Sequence, residues 1–179
     1  MVGKYKFASW FSADLTFING EGYKKLNKDN KYRYGIGLTF YPVQNLTVRG
    51  YFDSSSKNIE GEDTKDQQNL ALFAGYKTRR FSLGAEYNAM YHTKFKKDAN
   101  QSGFSVYSTV KFASKFDVFG RYDYLTSKDD WSSGDGQRLL FGLQYNPVKQ
   151  LKIASNFTSW NPASGKASSF AYLSLEFKI

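Results

Sequence analysis

His92 is the only histidine in a chain of 179 residues, and the chain contains no cysteine. Thiol catalysis, disulfide stapling and cysteine-based zinc or iron–sulfur sites are thereby excluded. A general base needs a partner to orient it. No acidic motif matches His92, so it reads as a polar residue at a strand end. Carboxylates cluster at Glu60, Glu62, Asp63 and Asp66, and again at Asp129, Asp130 and Asp135 around Trp131-Ser-Ser-Gly134. Neither group has calcium-loop spacing, and both read as solvated loop charge. Gly20-Glu-Gly22 precedes no helix that could cradle a phosphate, so it reads as a turn. These residues predict no enzyme, no metal and no cofactor.

The basic residues are the constellation worth following. Arg33, Arg49, Lys77, Lys111, Arg121, Arg138 and Lys152 all fall on one parity of segments that alternate apolar and polar residues. Gathered inside a pore, such side chains would bias permeation toward anions. The competing reading pairs most of them with Asp14, Glu86, Asp117, Asp123 and Glu176, which would fill and rigidify the interior. In a narrow closed barrel, pairing is the stronger expectation for most of them.

Alternation is what must position them. In Phe81–His92 the residues Phe81, Leu83, Ala85, Tyr87, Ala89 and Tyr91 share one face, and Ser82, Gly84, Glu86, Asn88, Met90 and His92 the other. That is the period of a strand. It recurs near Trp10–Asn19, Tyr32–Tyr41, Leu46–Asp53, Asn69–Lys77, Phe81–His92, Gly103–Phe112, Phe116–Leu125, Arg138–Asn146, Leu151–Trp160 and Ser168–Ile179. A tilted strand needs about 9–11 residues to cross a bilayer, and these segments match that length. Tight connectors (Tyr41–Asn45, Thr78–Arg80, Ala113–Lys115, Asn146–Gln150) alternate with long polar ones (Gly20–Lys31, Ser54–Gln68, Thr93–Ser102, Thr126–Gln137, Asn161–Ala167). An up-and-down meander then carries every long loop at one end, as outer-membrane barrels do. No interdomain linker interrupts residues 1–179, so one domain is expected.

The apolar parity collects aliphatic residues such as Leu15, Ile36, Leu72, Val106, Val118 and Leu143 toward strand middles. Tyr and Phe gather toward strand ends, the distribution of aromatic girdles at two membrane interfaces. The opposite parity carries the charges together with Gly35, Gly37, Gly75, Gly84, Gly103 and Gly142. A soluble sandwich or lipocalin-like barrel would turn the apolar face inward instead. Strand length, loop asymmetry and the glycines favour the inverted arrangement, because glycine in a narrow lumen leaves room for long basic side chains. The expectation is an all-β fold: a transmembrane antiparallel up-and-down β-barrel of about ten strands. Mean hydropathy is −0.57, and no apolar run is long enough for a membrane helix.

The net charge of +9 divides by location. The long loops, counting Asp53, sum to zero, the lumen parity to +3, and Lys4, Lys6, Arg79, Arg80, Lys115 and Lys149 supply +6 at the short-turn end. A nucleic-acid binder would gather its charge in one patch with exposed stacking aromatics, so nucleic acid is not an expected partner. A basic rim suits anionic lipid headgroups, at about 1 kcal/mol per residue near the surface.

Several stretches resemble the C-terminal portion of Gram-negative outer-membrane porins of the phosphate-selective type. They are Lys4–Trp10 leading to Asn19–Lys25, Gly37–Val43 with Asn45–Tyr51, and Gly142–Ile153 running through Asn156–Pro162 to the terminal strand. That strand, Phe170–Ile179, ends Phe-Lys-Ile, where such barrels mostly end on an aromatic. The resemblance implies outer-membrane localisation, passive passage of small solutes through a pore, and assembly into homo-oligomers; closure on ten strands would leave that pore narrow or plugged, and the basic parity would favour anionic solutes. The resemblance also implies barrels of about sixteen strands, so this chain is expected to be either a short barrel or a piece of a larger one. The alternative function is a structural or adhesive outer-membrane barrel without transport. Met1–Trp10 lacks the apolar core of a signal peptide, which in an exported protein implies a mature or trimmed chain.

Overall fold

The computed structural model describes residues 2–19, 32–56, 64–128 and 132–178. The connector at 20–31, the acidic group Glu60, Glu62 and Asp63, the triplet Asp129–Trp131 and the terminal Ile179 lie outside the described residues. Eleven strands form one antiparallel sheet in sequence order, each bonded to the next. They are β1 (Val2–Ala8), β2 (Phe11–Asn19), β3 (Tyr32–Phe40), β4 (Leu46–Ser55), β5 (Gln67–Lys77), β6 (Phe81–Tyr91), β7 (Gln101–Ala113), β8 (Phe116–Ser127), β9 (Gly136–Val148), β10 (Leu151–Pro162) and β11 (Ser168–Phe177). The all-β, up-and-down expectation holds.

Alternation marks ten strands, and the structure adds β1. Val2–Ala8 pairs with β2 through Lys4↔Asp14 and Tyr5↔Ala13, closing on a two-residue turn at Ser9-Trp10. The segment before Trp10, which the alternation left outside the strands, is therefore ladder. Lys4 and Lys6 are thus strand residues, Lys4 on the parity of Asp14 and Lys6 on that of Ser12, and both line a recess with Ser9 and Tyr41 at the short-turn end. Asp53, counted with the loops, lies within β4 opposite Gly35. With eleven strands, β1 and β11 run parallel to each other and begin at the same end. Among the described residues, neither outer edge has a ladder partner.

Burial identifies the two faces. Leu15, Ile36, Leu72, Val106, Phe141 and Leu175, which share one parity, are solvent-exposed, and the large hydrophobic side chains of that parity are mostly exposed with them. The opposite parity holds the buried residues Ser12, Asp14, Thr39, Asp53, Ser105, Asp117, Asn156 and Thr158. The core of this fold is therefore polar and lies on the inner face. The outer face carries two aromatic bands. At the short-turn end Trp10, Phe11 and Phe40 stack on one another, and Phe112, Phe116 and Tyr145 form a second row. At the long-connection end Phe17 packs on Tyr32 and Tyr34, and Phe104 on Tyr122 and Tyr124. Aliphatic residues fill the band between, the profile of a lipid-facing barrel wall.

Candidate functional site

The inner face is a set of crossed ion pairs held by register. Arg49 on β4 reaches over β3 to Asp14 on β2, with Nη1 and Nη2 donating to the two carboxylate oxygens at 2.6 and 2.9 Å. The strand between them offers Gly37, which stands opposite both Asp14 and Tyr51. A Cβ at Gly37 would collide with the guanidinium and the carboxylate. Arg49 Nη1 also donates to Thr39 Oγ1 at 2.8 Å, and the guanidinium lies 5.7 Å from the Tyr51 ring. Bidentate geometry of this kind fixes orientation as well as charge.

Nearer the long connections, Arg33 donates to Asp53 Oδ2 at 2.5 Å, and Asn69 Nδ2 donates to Oδ1 of the same carboxylate at 2.6 Å. Asp53 is fully buried. Across the sheet, Arg121 Nε donates to Asp123 Oδ1 at 2.7 Å and lies 5.5 Å from the Tyr107 ring. Ser105 Oγ donates to the same Asp123 oxygen and accepts from Arg121 Nη2. Lys152 Nζ donates to Glu176 Oε2 at 2.8 Å. Asp117 accepts from Gln144 and Asn146.

The seven basic residues therefore divide. Arg33, Arg49, Arg121 and Lys152 are ion-paired on the inner face. Lys77, Lys111 and Arg138 share that face, and among the described residues none of the three has a bonded carboxylate. Arg138 instead stacks on Trp160, its guanidinium carbon 5.6 Å from the ring centroid.

Sequence reasoning passed over the inner aromatics. Tyr51, Phe73, Tyr107, Phe119 and Trp160 sit on the parity of the charges, as do Phe170 and Tyr172 on β11. They, more than the arginines, occupy the space above the glycines: a Cβ would strike Tyr51 at Gly35, Phe73 at Gly75, Tyr107 at Gly84 and Phe119 at Gly142. Parity alone could have found them, because Phe73 interrupts the outward series Leu70, Leu72, Ala74.

His92 is a turn residue with φ 54°, followed by a short 3₁₀ turn at Thr93–Phe95, and its Nδ1 accepts the backbone N–H of Asp98 at 3.3 Å. Asp135 is buried and braces its loop, accepting from the Ser127 backbone N–H at 2.9 Å and from the Ser127 hydroxyl. Among the described residues no cluster of three metal-ligating side chains occurs.

No protein-family model matches the chain, and no curated sequence matches it. Solved structures do match its backbone. A porin overlays with TM-score 0.77 at 15% identity, covering 99% of this chain. The fold is that of a porin wall. The outer membrane channel DcaP of Acinetobacter baumannii overlays on 97% of this chain with TM-score 0.73 at 12% identity. The NanC porin overlays with TM-score 0.58 at 13% identity, covering 99% of this chain and 98% of its own. This porin-type sheet spans 60% of the length of both DcaP and the first porin.

Proposed function

We propose that this chain lines a passive pore in the outer membrane of a Gram-negative bacterium, admits small solutes and favours anions. The observation that carries the reading is the inversion of polarity: an exposed apolar face banded by aromatics, and an inner face whose carboxylates and hydroxyls are buried beneath partly exposed arginines. Water would not tolerate the first face at this extent in a monomer, and lipid would not tolerate the second. The porin-type fold of the sheet supports it. The function is conduction rather than catalysis, and assembly into homo-oligomers belongs to the same reading.

Anion preference follows from which charges remain uncompensated. Among the described residues Lys77, Lys111 and Arg138 have no ion-pair partner on the inner face, and Arg79, Arg80, Lys115 and Lys149 stand exposed in the short turns. The latter would also meet anionic phospholipid headgroups on the periplasmic side. In planar bilayers the protein should give currents whose reversal potential under a salt gradient reports anion selectivity, weakening toward 1 M salt, where screening shortens to about 3 Å. Cation preference would defeat the electrostatic argument. The structural or adhesive reading has its own support in the aromatics that cover the inner glycines, and a folded, membrane-inserted protein with no current would establish it.

A further inference from the structure

Beside Arg138 and Trp160 the inner face forms a half-open cavity of about 400 Å³ at the long-connection end of β5 to β10. Met90 and Leu125 give it apolar walls, Asn88 an amide, and Asp123 a carboxylate. Register places Arg138 between Asp123 on β8 and Trp160 on β10. Among the described residues no hydrogen bond joins Asp123 to Arg138; the Asp123 carboxylate accepts at Oδ1 from Arg121 Nε and Ser105 Oγ.

We infer that this cavity is a binding site for organic monocarboxylates that carry a compact apolar body, held by Arg138 and Trp160. The inference rests on the pore reading and names a solute class for it. Arg33, Arg49 and Arg121 spend donors on protein carboxylates, whereas among the described residues the Arg138 fork meets no carboxylate and lies against the Trp160 indole. A guanidinium presents paired N–H donors matched to a carboxylate. A small inorganic anion would satisfy that charge and leave Trp160, Met90 and Leu125 against water. A neutral solute would cover the walls and leave the guanidinium uncompensated. A monocarboxylate with an apolar body satisfies both. Arg138 is the one basic residue among the described residues that line the cavity, so a second carboxylate on the same solute would find no cation there, which sets monoanions above dianions.

Trp160 reports directly on occupancy. The chain has three tryptophans. With Trp10→Phe and Trp131→Phe introduced into these 179 residues and the protein folded in detergent, Trp160 is their remaining tryptophan, excited selectively at wavelengths where tyrosine does not absorb. Cyclohexanecarboxylate should change its emission saturably in the millimolar range. Cyclohexanol, formate and adipate should each need about tenfold more for the same change, or give none. Arg138→Gln should weaken cyclohexanecarboxylate binding about tenfold, and Arg138→Lys, which keeps the charge and loses the fork, should fall between. Gel mobility before and after boiling verifies that each variant is folded, and Arg138→Lys carries the test if Arg138→Gln is not. Equal response to cyclohexanol, or unchanged affinity in the folded arginine variants, overturns the site. Equal response to adipate overturns the exclusion of dianions. Because binding is read in detergent, it needs no current. A silent bilayer with intact binding would remove the pore reading alone, and anion-selective current without binding would remove this site alone.

Discussion

The ring of Tyr107 on β7 lies over Gly84 on β6, and its hydroxyl reaches past that glycine to donate to Glu86 Oε1 at 2.9 Å. The missing side chain of one strand is thus the seat of a side chain from the next, and the polar contact follows two residues along. Gly84→Ala should therefore cost about 1–3 kcal/mol through overpacking, and most of that cost should vanish when Tyr107→Ala is introduced with it. Gly50→Ala, whose Cβ would meet only Leu72 Cδ2 at 3.7 Å, should change little. Denaturant unfolding of the four variants in detergent checks the set, and a full Gly84→Ala cost in the Tyr107→Ala background would show that the ring is not the obstacle.

Arg33 and Asp53 make a second test of the inner face. Arg33→Met strands a buried carboxylate that keeps only the Asn69 amide, at a cost of about 3 kcal/mol. Adding Asp53→Asn removes the stranded charge and should recover most of the loss. A double variant as unstable as the sum of the singles would mean that the pair contributes no coupling.

The outer face is tested by depth. Leu72→Arg and Phe141→Arg place a cation in the aliphatic band and should each cost about 2–4 kcal/mol when folding is measured in lipid vesicles. Gln144→Arg on the inner face should cost less than about 1 kcal/mol, because Asp117 already accepts from Gln144 there. Costs in the opposite order would reverse the assignment of faces.

Selectivity is read from the reversal potential. Arg121→Glu sets a second carboxylate beside Asp123 and should move the potential toward cations, and Arg49→Glu should do the same beside Asp14. Lys166→Glu, in the connection between β10 and β11, should leave it nearly unchanged at 0.1 M salt, where the screening length is about 10 Å. Equal shifts from Lys166→Glu and Arg121→Glu would move the selective region out to the loops.

Strand number, direction and face were largely legible because each depends on a local period. Phe81–Tyr91 alternates through eleven residues without a break, and no tertiary information is needed to read it. β1 was not, since its seven residues offer few large apolar positions to set a period. The pairing of the charges was legible only as a tendency. Arg49 could have met any acid of its parity, and what selects Asp14 is the register of two ladders plus the absence of a side chain at Gly37. Register is a property of strand pairs, so Asp53 looked like loop charge until Gly35 was set opposite it. The inner aromatics were hidden by their type, since Phe73 and Trp160 look outward on composition and are inward on parity.

Among the described residues the outer edges of β1 and β11 have no ladder partner, and that constrains how this sheet can come to rest in a membrane. Each edge exposes a row of amide and carbonyl groups that hydrocarbon cannot solvate, at several kcal/mol for each group left unmatched. The sheet therefore cannot migrate into lipid one hairpin at a time and wait there for completion. Covering both margins and leaving water must happen as one event, so any agent that shields an edge during that event governs the rate of assembly even if it makes no contact with the finished wall.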